Sequence, residues 1–68
     1  MATMKQLRDA TINARHLAQD QSIGTRVQDG RIQVIRATYS NGKTHIDELS
    51  EWLSADAALT FLIDMVAL

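Results

Sequence analysis

The sequence predicts an α+β fold: an N-terminal helix, a two- or three-stranded antiparallel hairpin or meander, and a C-terminal helix or helix pair. Three observations carry that prediction. Met4, Leu7, Thr11, Ala14 and Ala18 recur at three- and four-residue steps. Two turn dipeptides, Asp29-Gly30 and Asn41-Gly42, separate stretches rich in Val, Ile, Thr and Tyr. The closing stretch Ser54–Leu68, SADAALTFLIDMVAL, contains no Pro, Gly, Lys or Arg. At 68 residues the chain is read as a single domain spanning 1–68.

The first helix is expected over residues 4–20. Ala10 and Leu17 lie beside its apolar stripe, while Lys5, Arg8, Asp9, Asn13, Arg15, His16 and Gln19 form the opposite face, with Ile12 among them. Its alanines favour close approach to a neighbour. The helix should fade near Asp20 and stop before Gly24, a residue suited to a left-handed C-terminal position.

Strands follow over residues 24–28 and 31–39. A two-residue turn at Asp29-Gly30 pairs Val27 with Ile32 and Thr25 with Val34, which puts Val27, Ile32 and Val34 on one face and Arg26, Gln33 and Arg36 on the other. Past Ile35 the apolar alternation shifts to Ile35, Ala37 and Tyr39, so either a bulge interrupts the strand or both of its faces are covered. A second turn at Asn41-Gly42 pairs Tyr39 with Thr44 and Ala37 with Ile46. It leads either into a short third strand over 43–46 or through a tight turn into the next helix.

Two helices are expected after that, over 46–53 and 55–67, or one bent element. Thr44-x-x-Asp47 resembles a capping box, and Ile46, Leu49, Trp52 and Leu53 mark one helical face opposite Asp47, Glu48 and Glu51. Ser54 is a suitable N-cap, and Asp56 sits where the helix dipole favours a carboxylate. In the terminal helix Ala55, Ala58, Leu59, Phe61, Leu62, Ile63, Met65, Val66 and Leu68 cover a little over half the perimeter. One neighbour requires a stripe of only about 100°. A second packing partner is therefore expected, with Leu59, Leu62, Ile63 and Val66 as contacts in a homodimer.

Composition narrows the function classes. There is no Cys, so neither a disulfide nor a Cys-based zinc site can form. His16 and His45 are far apart in sequence, no nucleophile motif is present, and the three glycines are isolated turn residues rather than a phosphate loop. The expectation is a protein that is not an enzyme and needs no metal or cofactor. The opening MATMKQLRDA has no apolar signal core, and the terminal apolar run is shorter than the ~20 residues of a membrane span and broken by Asp64. A soluble, cytoplasmic protein is expected.

The net charge of −1 conceals a separation: every Lys and Arg lies within residues 1–43, whereas residues 44–68 carry Asp47, Glu48, Glu51, Asp56 and Asp64 with no base. Such asymmetry points to interaction surfaces. The leading reading is a small protein-interaction module whose partner contacts are Tyr39, Trp52, Glu48, Glu51 and Asp56, meeting a basic surface such as that of a DNA-binding regulator. The alternative is nucleic-acid binding through Arg26, Arg31 and Arg36 on the hairpin.

The run Gly24-Thr25-Arg26-Val27, Asp29-Gly30-Arg31, Ala37-Thr38 and Ile46-Asp47-Glu48-Leu49 resembles the helix–hairpin–helix pattern of the lambda-type head-to-tail joining protein W, in outline over residues 5–53. That resemblance implies a structural component of a phage virion. The family ends in a short basic tail where this chain carries an apolar, acidic one. In size, element order and acidic terminal helix the chain is also similar to the small anti-quorum-sensing proteins of Pseudomonas phages. This second resemblance implies a dimer, acting in the host cytoplasm, that binds a transcriptional regulator of the LasR type and blocks its DNA-binding domain.

Overall fold

The computed structural model describes residues 1–67. Its elements run α1 (Met4–Ala18), β1 (Ile23–Gln28), β2 (Arg31–Ser40), β3 (Lys43–Glu48) and α2 (Ala55–Asp64). The three strands form one antiparallel sheet in the order β1-β2-β3.

Helix α1 starts at a reciprocal capping box. Thr3 Oγ1 accepts the Gln6 N–H at 3.2 Å, and Gln6 Oε1 accepts the Thr3 N–H at 2.8 Å. The helix ends on Gln19, whose φ of 53° and ψ of 42° are left-handed. The sequence assigned that role to Gly24, which instead lies within β1 opposite Ile35. A local turn accounts for the difference: the Asp20 carboxylate accepts both the N–H and the hydroxyl of Ser22, so the strand begins one residue later.

Both hairpin registers follow the turn chemistry. Asp29 and Gly30 have φ of 52° and 74°, and Asn41 and Gly42 have 52° and 75°, the pair of positive values that a type I′ turn requires. Val27 faces Ile32, Thr25 faces Val34, Tyr39 faces Thr44 and Ala37 faces Ile46. The pairing of β2 with β1 and β3 is continuous and without a bulge. The shifted alternation in β2 therefore reflects burial from both sides: Ile32, Gln33, Val34 and Ile35 are all buried. Continuous alternation also puts Arg36 on the same face as Ile32 and Val34, not beside Arg26 and Gln33.

The helix expected over 46–53 does not form. Ile46, Asp47 and Glu48 belong to β3, paired with Ala37, Arg36 and Ile35. The chain then runs irregularly along β2: Leu49 N–H donates to Val34 O at 2.9 Å, and Leu53 exchanges hydrogen bonds with Ile32 at 2.7 and 2.8 Å. The i, i+3, i+7 spacing of Ile46, Leu49 and Leu53 imitated a helix. The long β2 offers a hydrogen-bonding edge that a short isolated helix cannot match.

Helices α1 and α2 pack on each other and on one face of the sheet, α1 against β1 and α2 against β2. The core is Leu7, Ala14, Ile23, Ile32, Val34, Ala58 and Leu62. Ala14 and Ala58 are fully buried and leave room for the helices to approach closely. Ser54 caps α2 by accepting the Ala57 N–H at 3.3 Å. The helix ends at Asp64, short of the expected 67. Leu68 lies outside the described residues.

Candidate interaction surface

Strand alternation assigns two faces to the sheet. The helices cover one. On the other lie Arg26 of β1, Gln33, Ile35, Ala37 and Tyr39 of β2, and Thr44, Ile46 and Glu48 of β3. This outer face has two parts, one closed by polar contacts and one open.

The closed part is built around Gln33, 1% exposed. Its Oε1 accepts Arg26 Nε at 2.7 Å, and its Nε2 donates to Ser50 O at 3.0 Å. Ser50 Oγ accepts the Val34 N–H at 2.9 Å, so the segment after β3 is fastened to the middle of β2. Arg26 also reaches Glu48 Oε1 at 3.2 Å and lies over the Trp52 ring at 5.3 Å. Burying a polar side chain in a small domain is tolerated when its groups are satisfied, and no buried side-chain polar atom among the described residues lacks a partner.

The open part is the far end of the β2–β3 hairpin. Tyr39 is 75% exposed and Ile46 is 42% exposed, with Ala37 opposite Ile46 on the same side. All six residues of β3 are exposed, and β3 packs against β2 alone among the described elements. Among the described residues neither helix reaches this end, so neither face of the ribbon is covered there. The sequence leaves Ile46 open between a third strand, where it pairs with Ala37, and the following helix, and so does not single it out as a surface residue. The Ala37–Ile46 pairing set by Asn41-Gly42 was the signal that could have found it.

The structure gathers two of the other predicted partner contacts, Trp52 and Glu48, around Arg26 and places Asp56 elsewhere. Trp52 is half-buried beneath Arg26, and Glu48 is occupied by Arg26. Glu51 is exposed in the segment after β3, and Asp56 lies at the start of α2, where it accepts the Ala2 N–H. Asp47 points to the opposite face of β3 from Glu48. The acidic residues thus do not merge into one patch.

The residues predicted for a dimer through the terminal helix are mostly used inside the monomer. Leu62 is 1% exposed, and Leu59 and Val66 pack against the core, leaving Ile63 at 55% exposure. On the broad apolar perimeter of α2, Ala58 and Leu62 are buried and Leu59 and Phe61 are partly buried against the same core, as are Leu49 and Leu53 from the segment after β3. The sequence reading lacked the second cover because it assigned residues 46–53 to a helix.

Arg26 and Arg31 lie on the outer face of the sheet but Arg36 does not, so the three predicted nucleic-acid residues do not form one surface. Arg26 is tied to Gln33, Glu48 and Trp52. Arg36 lies on the other face and donates to Asp20 at 2.9 Å. Arg31 is exposed beside the first turn. The carboxyl of Asp20 is held below its ordinary value, first by the Ser22 hydroxyl and N–H and then by Arg36.

A groove of about 430 Å³ also runs between α1 and β1, edged by Met4, Arg8, Ile12, Arg15 and Val27. Arg15 Nε donates across it to the Ile23 carbonyl, occupying part of the outer edge of β1. Among the described residues, no three His, Asp or Glu side chains gather as a metal site, and no helix is long and apolar enough to cross a membrane. No protein-family model, curated protein or solved structure matches the chain.

Proposed function

We propose that this chain is a small, non-catalytic protein-interaction module that binds a protein partner through the open end of its outer sheet face. The observation that carries this reading is the exposure of Tyr39 and Ile46 on a ribbon that neither α1 nor α2 covers. Tyrosine offers a large contact area and a polar tip at little conformational cost, which suits it to anchor an interface. The Arg26–Gln33–Trp52 cluster beside it holds the ribbon's base rigid, so less order has to be imposed on binding.

The likeness in build to phage proteins that block host regulators makes a host transcriptional regulator of the LasR type, met in the host cytoplasm, the first partner to try. The test immobilises the protein and measures binding of purified regulator to wild type, to Tyr39→Ser/Ile46→Ser, and to Ile12→Ser as a control on α1. The double variant should lose binding at least about tenfold, with the control unchanged. Binding that survives the double variant and is lost with Ile12→Ser would overturn the reading and move the site to the α1–β1 groove.

A further inference from the structure

We infer that two copies of this chain pair antiparallel through their β3 edges, joining two three-stranded sheets into one six-stranded sheet. The two edges of the sheet are treated differently by the fold. The outer edge of β1 lies beside α1, and Arg15 takes up the Ile23 carbonyl. The outer edge of β3 has no such cover among the described residues, and it carries no proline and no bulge, two common means of blunting an edge.

The free hydrogen-bonding groups of that edge can be assigned. The two-residue turn makes Ser40 and Lys43 a hydrogen-bonded pair, and Leu49 N–H donates to Val34 O at the far end of the same register. Lys43, His45 and Asp47 therefore bond inward to β2. The N–H and C=O groups of Thr44, Ile46 and Glu48 point outward and need water or another strand.

Charge decides the occupant and the register. Lys43, His45 and Asp47 alternate on one face of β3, with a cation at one end and a carboxylate at the other. About a two-fold axis perpendicular to the sheet at His45, Lys43 of each copy faces Asp47 of the other, and the outward groups of Thr44 meet those of Ile46. The strand is thus complementary to itself in the antiparallel sense. Each copy contacts its mate with the same patch, as a two-fold interface requires. Arg36, which is the cross-strand neighbour of Asp47 and bonds Asp20, then stands in one row of alternating sign with Asp47 and the mate's Lys43. The Tyr39–Ile46 surfaces of both copies come to lie on one side of the joined sheet. The pairing uses the strand's edge and not its face, so it stands or falls separately from the proposed partner.

The test is sedimentation equilibrium on wild type, Lys43→Asp, Asp47→Lys and an equimolar mixture of the two variants. Wild type should show concentration-dependent dimerisation. Each single variant sets like charges opposite each other twice and should weaken it by about tenfold or more. The mixture should regain it as a heterodimer. Ile46→Pro serves as the second probe, because it removes an outward N–H and leaves the β2 ladder intact; it should abolish the dimer while circular dichroism stays that of the folded chain. A wild-type monomer up to about millimolar concentration, a dimer that survives these changes, or variants that weaken without recovery on mixing would each overturn the inference.

Discussion

The guanidinium carbon of Arg26 lies 5.3 Å from the centre of the Trp52 ring, which ties β1 to a segment that follows β3 in sequence. The same side chain donates to Gln33 at 2.7 Å and to Glu48 at 3.2 Å. Arg26→Ala should therefore destabilise the fold by about 1–2 kcal/mol, through the lost stacking and the unpaired Gln33 oxygen. Glu48→Gln should cost less than about 1 kcal/mol, because the ion pair is well exposed to water. Urea titration followed by Trp52 fluorescence reads both.

Gln33 is the buried polar residue on which the outer face turns. Gln33→Leu fits the space but leaves Ser50 O and Arg26 Nε without their partners, so a loss of about 2–3 kcal/mol is expected. Hydrogen exchange should show the loss beginning locally, with faster exchange at Leu49 and Ser50, whose N–H groups donate to Val34 O.

Two neighbours on α2 should behave oppositely. Leu62→Ala opens a cavity in the core and should cost about 2–5 kcal/mol. Ile63→Ala, at an exposed position, should fall within about 0.5 kcal/mol of wild type. Thermal unfolding of the two variants distinguishes an internal helix from one whose apolar side waits for a second copy.

The legible and illegible parts of this chain divide along physical lines. Both strand registers could be read because Asp29-Gly30 and Asn41-Gly42 specify turn geometry locally. Both helix N-termini could be read because Thr3 or Met4 and Ser54 begin clear apolar periodicities. The face occupied by Arg36 needed the absence of a bulge, which depends on partners across the sheet. Residues 46–53 were misread because Ile46, Leu49 and Leu53 fit a helical spacing equally well, and only the length of β2 decides between the two. That one misreading left α2 apparently half-covered, and Ile46, open between strand and helix, was not singled out as a surface residue.

Asp20 links the end of α1 to β2 by accepting from Ser22 and from Arg36 Nε at 2.9 Å. These contacts favour the charged carboxylate and hold its pKa below the ordinary 3.8. The stabilisation is complete above that ordinary value and is lost as pH falls through the lowered native value. Asp20→Asn should be less stable than wild type at neutral pH, with the difference closing as pH falls through the lowered native value. Unfolding midpoints measured across acid pH test this; a gap independent of pH would contradict the assignment.

The most direct measurement replaces single residues by a photo-crosslinking amino acid inside cells that contain the partner. Three positions are compared: Tyr39 on the open face, Ile12 beside the α1–β1 groove and Ile63 on α2, all exposed. Adducts to another protein concentrated at position 39, and sparse at 12 and 63, are the predicted result. Adducts at 12 or 63 with none at 39 would contradict the proposal that the outer sheet face is where this protein binds.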